Sequence, residues 1–159
     1  MSKELQERMA TYQEVVYEGS SVVTTYFELI HFIRKLRADF SKQTKEYKVG
    51  NVSEGYMDYT YFAFFTPSLR ADKLRFGIVL NHFERRFELW LMAQNEEEKV
   101  KYWEKLKQTP WNKTKQEAPR YSVLEAVIVE KADFTDLDIL SKQVIEAALV
   151  EVEKIKPYL

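Results

Sequence analysis

The amino-acid sequence predicts a single domain of the α+β class over residues 1–159. Apolar residues recur three and four positions apart toward both ends of the chain, which is typical of amphipathic helices. Aromatic and β-branched residues are concentrated in the middle, which favours strands. The predicted order is ααβββαβα: two N-terminal helices, a three-stranded antiparallel meander, a crossover helix, a fourth strand and a C-terminal helix.

The N-terminal part of the chain is predicted to form two helices. Apolar residues at helical spacing predict the first helix over residues 2–17. Either Ser20 or Ser21 can cap a second, longer helix that runs to about residue 43. Residues 45–55 show little periodicity and contain two glycines, so they are predicted to form a loop.

Three strands are predicted next, over residues 56–66, 73–82 and 86–92. The second and third strands are separated by only a few residues, which predicts an antiparallel hairpin. If the hairpin tip is a two-residue loop at Glu84 and Arg85, Asn81 lies opposite Glu88.

The last third of the chain is predicted to contain a helix, a strand and a second helix. The first of these helices covers residues 95–109 and has Asn95 as its N-cap. A basic, polar connection over residues 111–120 leads to a strand over residues 121–130. The C-terminal helix opens at Thr135.

The composition excludes several kinds of chemistry. The chain has no cysteine, four glycines and two histidines, so it cannot form a disulfide framework, a thiolate nucleophile or a cysteine zinc site. The glycines are too scattered for a phosphate-binding loop. We therefore expect no catalytic residues, no metal and no cofactor. No apolar run approaches the ~20 residues that span a bilayer, so we expect a cytoplasmic protein without a membrane partner.

The hairpin carries the densest polar cluster in the sequence. By strand alternation Arg75, Asn81, Arg86, Glu88 and Trp90 share one face, opposite the apolar face. An amide, a carboxylate, a guanidinium and an indole on one face could hold a small polar ligand. The alternative is an amphipathic hairpin whose outer face is solvated.

The first predicted strand is aromatic on both faces. Asp58 lies among Tyr59 and Tyr61, where a carboxylate must be paired or solvated. The strand is expected to pack in the core, to line a tyrosine-rich pocket or to form a dimer seam. His82 ends the next strand and is either a general base or a solvated turn histidine. The candidate ligand-binding residues are therefore Asp58, Tyr59, Tyr61, Asn81, His82, Arg86, Glu88 and Trp90.

Two further functions can be tested against the sequence. The order of helix, three strands, helix and strand resembles that of restriction-endonuclease-like folds, but the second strand has no carboxylate and Trp90 stands where the catalytic lysine is required. The central residues 34–120 are rich in Lys and Arg interleaved with aromatics, which suits single-stranded nucleic acid or an acidic partner. A pI of 6.2 argues against a dedicated nucleic-acid binder.

Several segments resemble those of a family of small, uncharacterised bacterial proteins with a domain of unknown function. The similarity rests on residues 55–62, on residues 81–91 and on Tyr102 and Trp103. The resemblance implies a bacterial cytosolic origin and a single domain, and it supplies no catalytic residues.

The sequence as a whole favours a non-catalytic module that binds a small ligand or a protein partner, with a homodimer as one expected assembly. One alternative is an enzyme or a degenerate nuclease-like protein with a site around Asp58, His82 and Glu88. The second alternative is nucleic-acid binding through the basic central segment.

Overall fold

Five antiparallel strands form one sheet in the computed structural model, which describes residues 1–159. The strands are β1 (Lys48–Ser53), β2 (Tyr59–Phe65), β3 (Leu74–Asn81), β4 (Arg86–Ala93) and β5 (Leu124–Val129). The helices are α1 (Ser2–Val15), α2 (Ser21–Gln43), α3 (Pro67–Ala71), α4 (Glu96–Leu106) and α5 (Leu137–Ile155), followed by a single 3₁₀ turn (Lys156–Tyr158). The α+β class is confirmed.

The chain divides into two units, residues 1–32 and residues 33–159. In the first unit α1 buries none of its side chains. Gly19 has a φ of 85° and separates α1 from α2. The Ser20 hydroxyl donates a hydrogen bond to the Val15 carbonyl, which ties the turn to the end of α1. None of the helices of the chain is long and apolar enough to cross a bilayer.

The second unit contains the sheet, whose strands are neighbours in chain order. One face carries phenylalanine and aliphatic side chains that are fully buried, among them Phe62, Phe76 and Leu89. The Phe40 ring of α2 lies 4.5 Å from the Phe64 ring on this face, and α5 contacts β4 and β5. Because the helices cover this face, it forms the main core. The opposite face carries the polar residues of the hairpin.

Three elements differ from the sequence prediction. The loop predicted over residues 45–55 is wrong, because Lys48–Ser53 form the edge strand β1, whose pairing with β2 is interrupted by an irregularity between Val49 and Val52. The strand predicted to begin at Tyr56 begins at Tyr59. After this strand a short helix, α3, was not predicted; the Thr66 hydroxyl caps it by accepting from the Leu69 N–H at 3.2 Å.

The hairpin register also differs from the prediction. Asn81 pairs with Arg86, and Glu88 pairs with Val79, so the predicted Asn81–Glu88 pairing is wrong. The connection is a four-residue turn in which the Asn81 side chain accepts from the Glu84 N–H at 3.1 Å. The shift is an even number of residues, so the predicted sharing of one face is retained.

Gly55 is the glycine whose replacement the fold tolerates least. Its φ is +74°, and a Cβ there would lie 2.2 Å from the Tyr59 carbonyl oxygen and 2.8 Å from the Asp58 carboxylate. We therefore expect Gly55→Ala to lower the free energy of unfolding by about 2 kcal/mol or more, from strain and steric overlap. Urea denaturation measures this change.

The matched control for that variant is Gly50→Ala in β1. A Cβ at Gly50 would meet nothing closer than the Ala63 carbonyl oxygen at 3.4 Å, so the loss should stay within about 0.5 kcal/mol. Equal losses in the two variants would contradict the assignment of strain to Gly55.

Candidate functional site

A cavity of about 850 Å³ opens on the polar face of the sheet. Its walls come from β2, β4 and β5, from the turn between β3 and β4, and from residues 115–121, which lead into β5. We call this cavity the aromatic pocket, because four of the side chains that line it are Tyr59, Phe83, Trp90 and Tyr121. Its position on the sheet follows from the strand register, which sets Trp90 of β4 opposite Glu125 of β5.

The aromatic rings of the pocket pack against one another. The Tyr59 ring centroid lies 5.0 Å from that of Trp90 and 6.1 Å from that of Tyr121. The rings of Trp90 and Tyr121 are nearly parallel, with an interplanar angle of 15° and centroids 6.5 Å apart. Phe83 meets Tyr59 edge to face at 6.3 Å. These mutual contacts hold the rings in fixed orientations.

A buried carboxylate holds the indole at the base of the pocket. Glu88 is 2% exposed and accepts three hydrogen bonds. Its Oε2 receives Arg86 Nε at 2.8 Å and Asn81 Nδ2 at 3.0 Å. Its Oε1 receives the Trp90 indole N–H at 2.9 Å. The negative charge of Glu88 is therefore compensated by a guanidinium and two neutral donors, and the indole is fixed in one orientation.

Glu125 lies at the pocket wall in a different electrostatic environment. One of its oxygens, Oε1, accepts the Ser122 hydroxyl at 2.7 Å. It takes part in none of the salt bridges of the chain. Burial raises the pKa of Glu125 and the nearby Glu88 charge raises it further, whereas the Ser122 hydrogen bond and the charges of Lys115 and Arg86 oppose the rise. Glu125 is thus a half-buried carboxyl group that forms no salt bridge.

The segment before β5 closes the pocket and is anchored from below. Asn112 is fully buried, and its side-chain amide donates to the Val123 carbonyl at 2.9 Å and to the Leu106 carbonyl at 3.3 Å. Lys99 of α4 donates to the Arg120 carbonyl at 2.7 Å. These contacts position Tyr121 at the pocket rim.

Asp58 and His82 form hydrogen bonds with residues outside the Glu88 network. Asp58 Oδ1 accepts from the Tyr56 N–H at 2.8 Å and from the Tyr59 N–H at 2.7 Å, and these two bonds lower the pKa of Asp58. The ring Nε2 of His82 lies 2.7 Å from the Thr60 hydroxyl. Burial lowers the pKa of His82, although the Asp58 charge opposes this effect. The interpretation of His82 as a solvated turn residue is wrong, because its ring is half-buried and hydrogen-bonded.

The structure separates the eight candidate residues into groups. Asp58, Tyr59 and Trp90 line the aromatic pocket. Asn81, Arg86 and Glu88 form the hydrogen-bonded network below it, while His82 contacts Thr60 and Tyr61 packs against Val79, Trp90 and Met92. The solvated alternative for the hairpin face is wrong, because Asn81 and Glu88 are buried.

Sequence reasoning missed the contribution of Tyr121 and Glu125. Both residues line the pocket, but they were predicted only as part of a strand over residues 121–130 and not as part of a site. A signal for Glu125 was present, since it alternates with apolar residues in a strand predicted to be buried. For Tyr121 the chain offers no comparable local pattern.

Comparison with known proteins identifies a family. The model of a domain of unknown function, DUF7000, matches residues 5–159. The chain belongs to the DUF7000 family. No curated protein and no solved structure matches it. The resemblance to a family without assigned activity is thus confirmed, whereas these comparisons show no similarity to restriction endonucleases. The DUF7000 chain also has no cluster of three or more His, Asp or Glu side chains that could hold a metal ion.

Removing the charge of Glu88 should destabilise this DUF7000 fold. The Glu88→Gln amide has only one acceptor oxygen, so if that oxygen accepts from Arg86 and Asn81 the amide nitrogen faces the Trp90 N–H, and Arg86 also loses its closest charged partner. We expect a loss of about 2–3 kcal/mol in the free energy of unfolding, measured by urea denaturation. Glu130→Gln is the control, because Glu130 is an exposed partner of Arg86 at 3.6 Å and should contribute less than about 1 kcal/mol. Equal losses would show that burial of Glu88 is unimportant.

Removing the charge of Glu125 should, in contrast, stabilise the fold at neutral pH. The folded-state pKa of Glu125 lies above its ordinary value of 4.5, so the fold disfavours the ionised form and loses stability as the pH rises through that folded pKa. Glu125→Gln retains an acceptor for Ser122 and has no such loss. The variant should therefore be more stable than the wild type at pH 7, and the gap should shrink toward pH 4.5.

Thermal unfolding of the wild type and Glu125→Gln between pH 4.5 and 8 tests this expectation. Glu104→Gln on α4 is the control, because Glu104 is exposed and pairs with Lys107 at the surface; its effect should stay within about 0.5 kcal/mol. A stability gap for Glu125→Gln that did not change with pH would exclude titration of this carboxyl group as its cause.

Proposed function

We propose that this DUF7000 protein is a non-catalytic module that binds a small molecule in the aromatic pocket. The observation that carries the proposal is the preformed arrangement of Tyr59, Trp90 and Tyr121, with the indole held by Glu88. A volume of about 850 Å³ lies within the range of roughly 300–1,000 Å³ that small-molecule sites occupy.

The side chains of the pocket suit binding by stacking and a few polar contacts. Aromatic rings supply a large apolar contact area and lose little conformational freedom on binding. The rings are already packed against one another, which lowers the entropic cost further. Glu125 and Lys115 at the wall add polar groups that can orient a ligand.

The hydrogen bonds of Glu88 and His82 argue against the enzyme alternative. Glu88 accepts from three donors, which occupy both of its oxygens. A general base needs a free lone pair directed at the substrate, and the oxygens of Glu88 are already engaged within the fold. The enzyme alternative requires Asp58, His82 and Glu88 to act together, but His82 bonds to Thr60 and Glu88 to the indole.

A thermal-shift screen of diverse small molecules tests the proposed function. A ligand that binds only the native state at 100 times its Kd adds about 2.7 kcal/mol of stability, which corresponds to a shift of several degrees in Tm. Tyr121→Ala should weaken binding of each hit about tenfold, because it removes one wall of the pocket. Tyr121 is 49% exposed, so this change should leave the fold intact.

The matched control is Tyr12→Ala on α1. Tyr12 is also exposed, at 56%, and lies outside the pocket, so the ligand-induced shift should not change. If no compound stabilises the protein, or if every hit binds Tyr121→Ala as tightly as the wild type, the pocket is not a ligand site.

A further inference from the structure

The charged side chains that line the aromatic pocket differ in how far other groups of the chain compensate their charges. Lys115 and Arg120 are its cations, and Asp58, Glu117 and Glu125 are its carboxylates. Asp58 is engaged by backbone N–H groups. Glu125 is half-buried beside aromatic rings and has one neutral donor, Ser122. A carboxylate in such surroundings attracts positive charge strongly, because the low local dielectric weakens screening.

We propose that the aromatic pocket selects an organic cation of the ammonium class, which places its charge between the Glu125 carboxylate and the rings of Tyr59 and Tyr121. This inference rests on the proposed function and specifies the ligand class. Aromatic faces attract ammonium groups through the ring quadrupole, and the attraction increases when the ion is desolvated. A carboxylate at the same wall adds an ion pair and a hydrogen-bond acceptor.

The chain itself places a cation on one of these rings. The guanidinium carbon of Arg120 lies 5.0 Å from the centroid of the Tyr121 ring, which is a cation–π contact. Arg120 is exposed and forms none of the salt bridges of the chain. The ring is thus positioned to stabilise positive charge at the pocket rim.

The partial burial of Glu125 favours a cationic ligand over an anionic ligand. Glu125 lies in a sheet strand whose neighbouring side chains limit access to water, and its pKa is raised by that burial. An anionic ligand would have to approach Glu125 and Glu88 from the pocket, with like charges repelling it. A cation would instead compensate the charge of Glu125, which no salt bridge of the chain neutralises.

Isothermal titration calorimetry with three probes that share a phenyl ring tests the proposal. The probes are benzyltrimethylammonium, neutral benzyl alcohol and anionic phenylacetate. The cation should bind the wild type about tenfold more tightly than benzyl alcohol, and phenylacetate should bind most weakly. Glu125→Gln should remove most of the cation preference without changing the affinity for benzyl alcohol.

Two further variants serve as controls. Lys115→Gln removes a positive charge from the same pocket and should strengthen binding of the cation. Glu104→Gln removes an exposed carboxylate on α4 and should change none of the three affinities. The Tm of each variant without ligand shows whether it is folded.

The remaining outcomes separate this inference from the proposed function. Equal affinities for the three probes, or a preference unchanged in Glu125→Gln, overturn the selection of cations and leave the pocket as a ligand site. Tightest binding of phenylacetate, lost in Lys115→Gln, overturns it in favour of an anion site. If none of the probes binds while the wider screen finds only uncharged or anionic ligands, the cation proposal fails alone. If the wider screen also finds nothing, the proposed function fails with it.

Discussion

The polar face of the sheet depends on the burial of one charge. Glu88 is 2% exposed, and an isolated carboxylate in that position would cost several kcal/mol. The sheet meets this requirement with donors from adjacent strands, since Asn81 ends β3 while Arg86 and Trp90 lie two residues to either side of Glu88 in β4. Satisfying the carboxylate therefore ties the end of β3 to β4 and fixes the orientation of the indole. The base of the pocket is a direct consequence, because the same indole forms it.

The sheet buries its two faces in different ways. One face packs its phenylalanine and aliphatic side chains against α2 residues such as Phe40 and against α5. On the other face Val79, Trp90 and Met92 form a smaller cluster that Tyr59 and Tyr61 cover only in part. The remaining cover comes from residues 115–121, which line the cavity on this face. A cavity results because this segment is anchored mainly by the side chains of Lys99 and Asn112, which bond to backbone carbonyls within it and on either side of it, and contacts the sheet face through the Tyr121 ring.

The sequence was sufficient to predict the elements whose pattern is local. The hairpin and its two faces follow from alternation within β3 and β4, and the helix cap at Asn95 follows from residue type. Edge strand β1 was missed because glycine and an irregular register hide its alternation. The side of the pocket formed by Tyr121 could not be predicted, because it depends on the buried Asn112 donating to the carbonyls of Leu106, six residues before it, and Val123, eleven residues after it. Such contacts in an irregular segment leave no periodic signal along the chain.

Glu88 and Glu125 lie on neighbouring strands of one sheet face, but the number of hydrogen-bond donors to their carboxylates differs. Glu88 receives three donors, so its carboxylate is an integral part of the structure. Glu125 has one neutral donor and a raised pKa, so its charge is a cost to stability that Ser122, Lys115 and Arg86 offset only in part. Residues that reduce stability in this way are concentrated at functional sites, where a ligand supplies the missing interaction. The contrast between the two glutamates therefore supports the proposed function, in which a ligand would compensate Glu125 while Glu88 holds the indole in place.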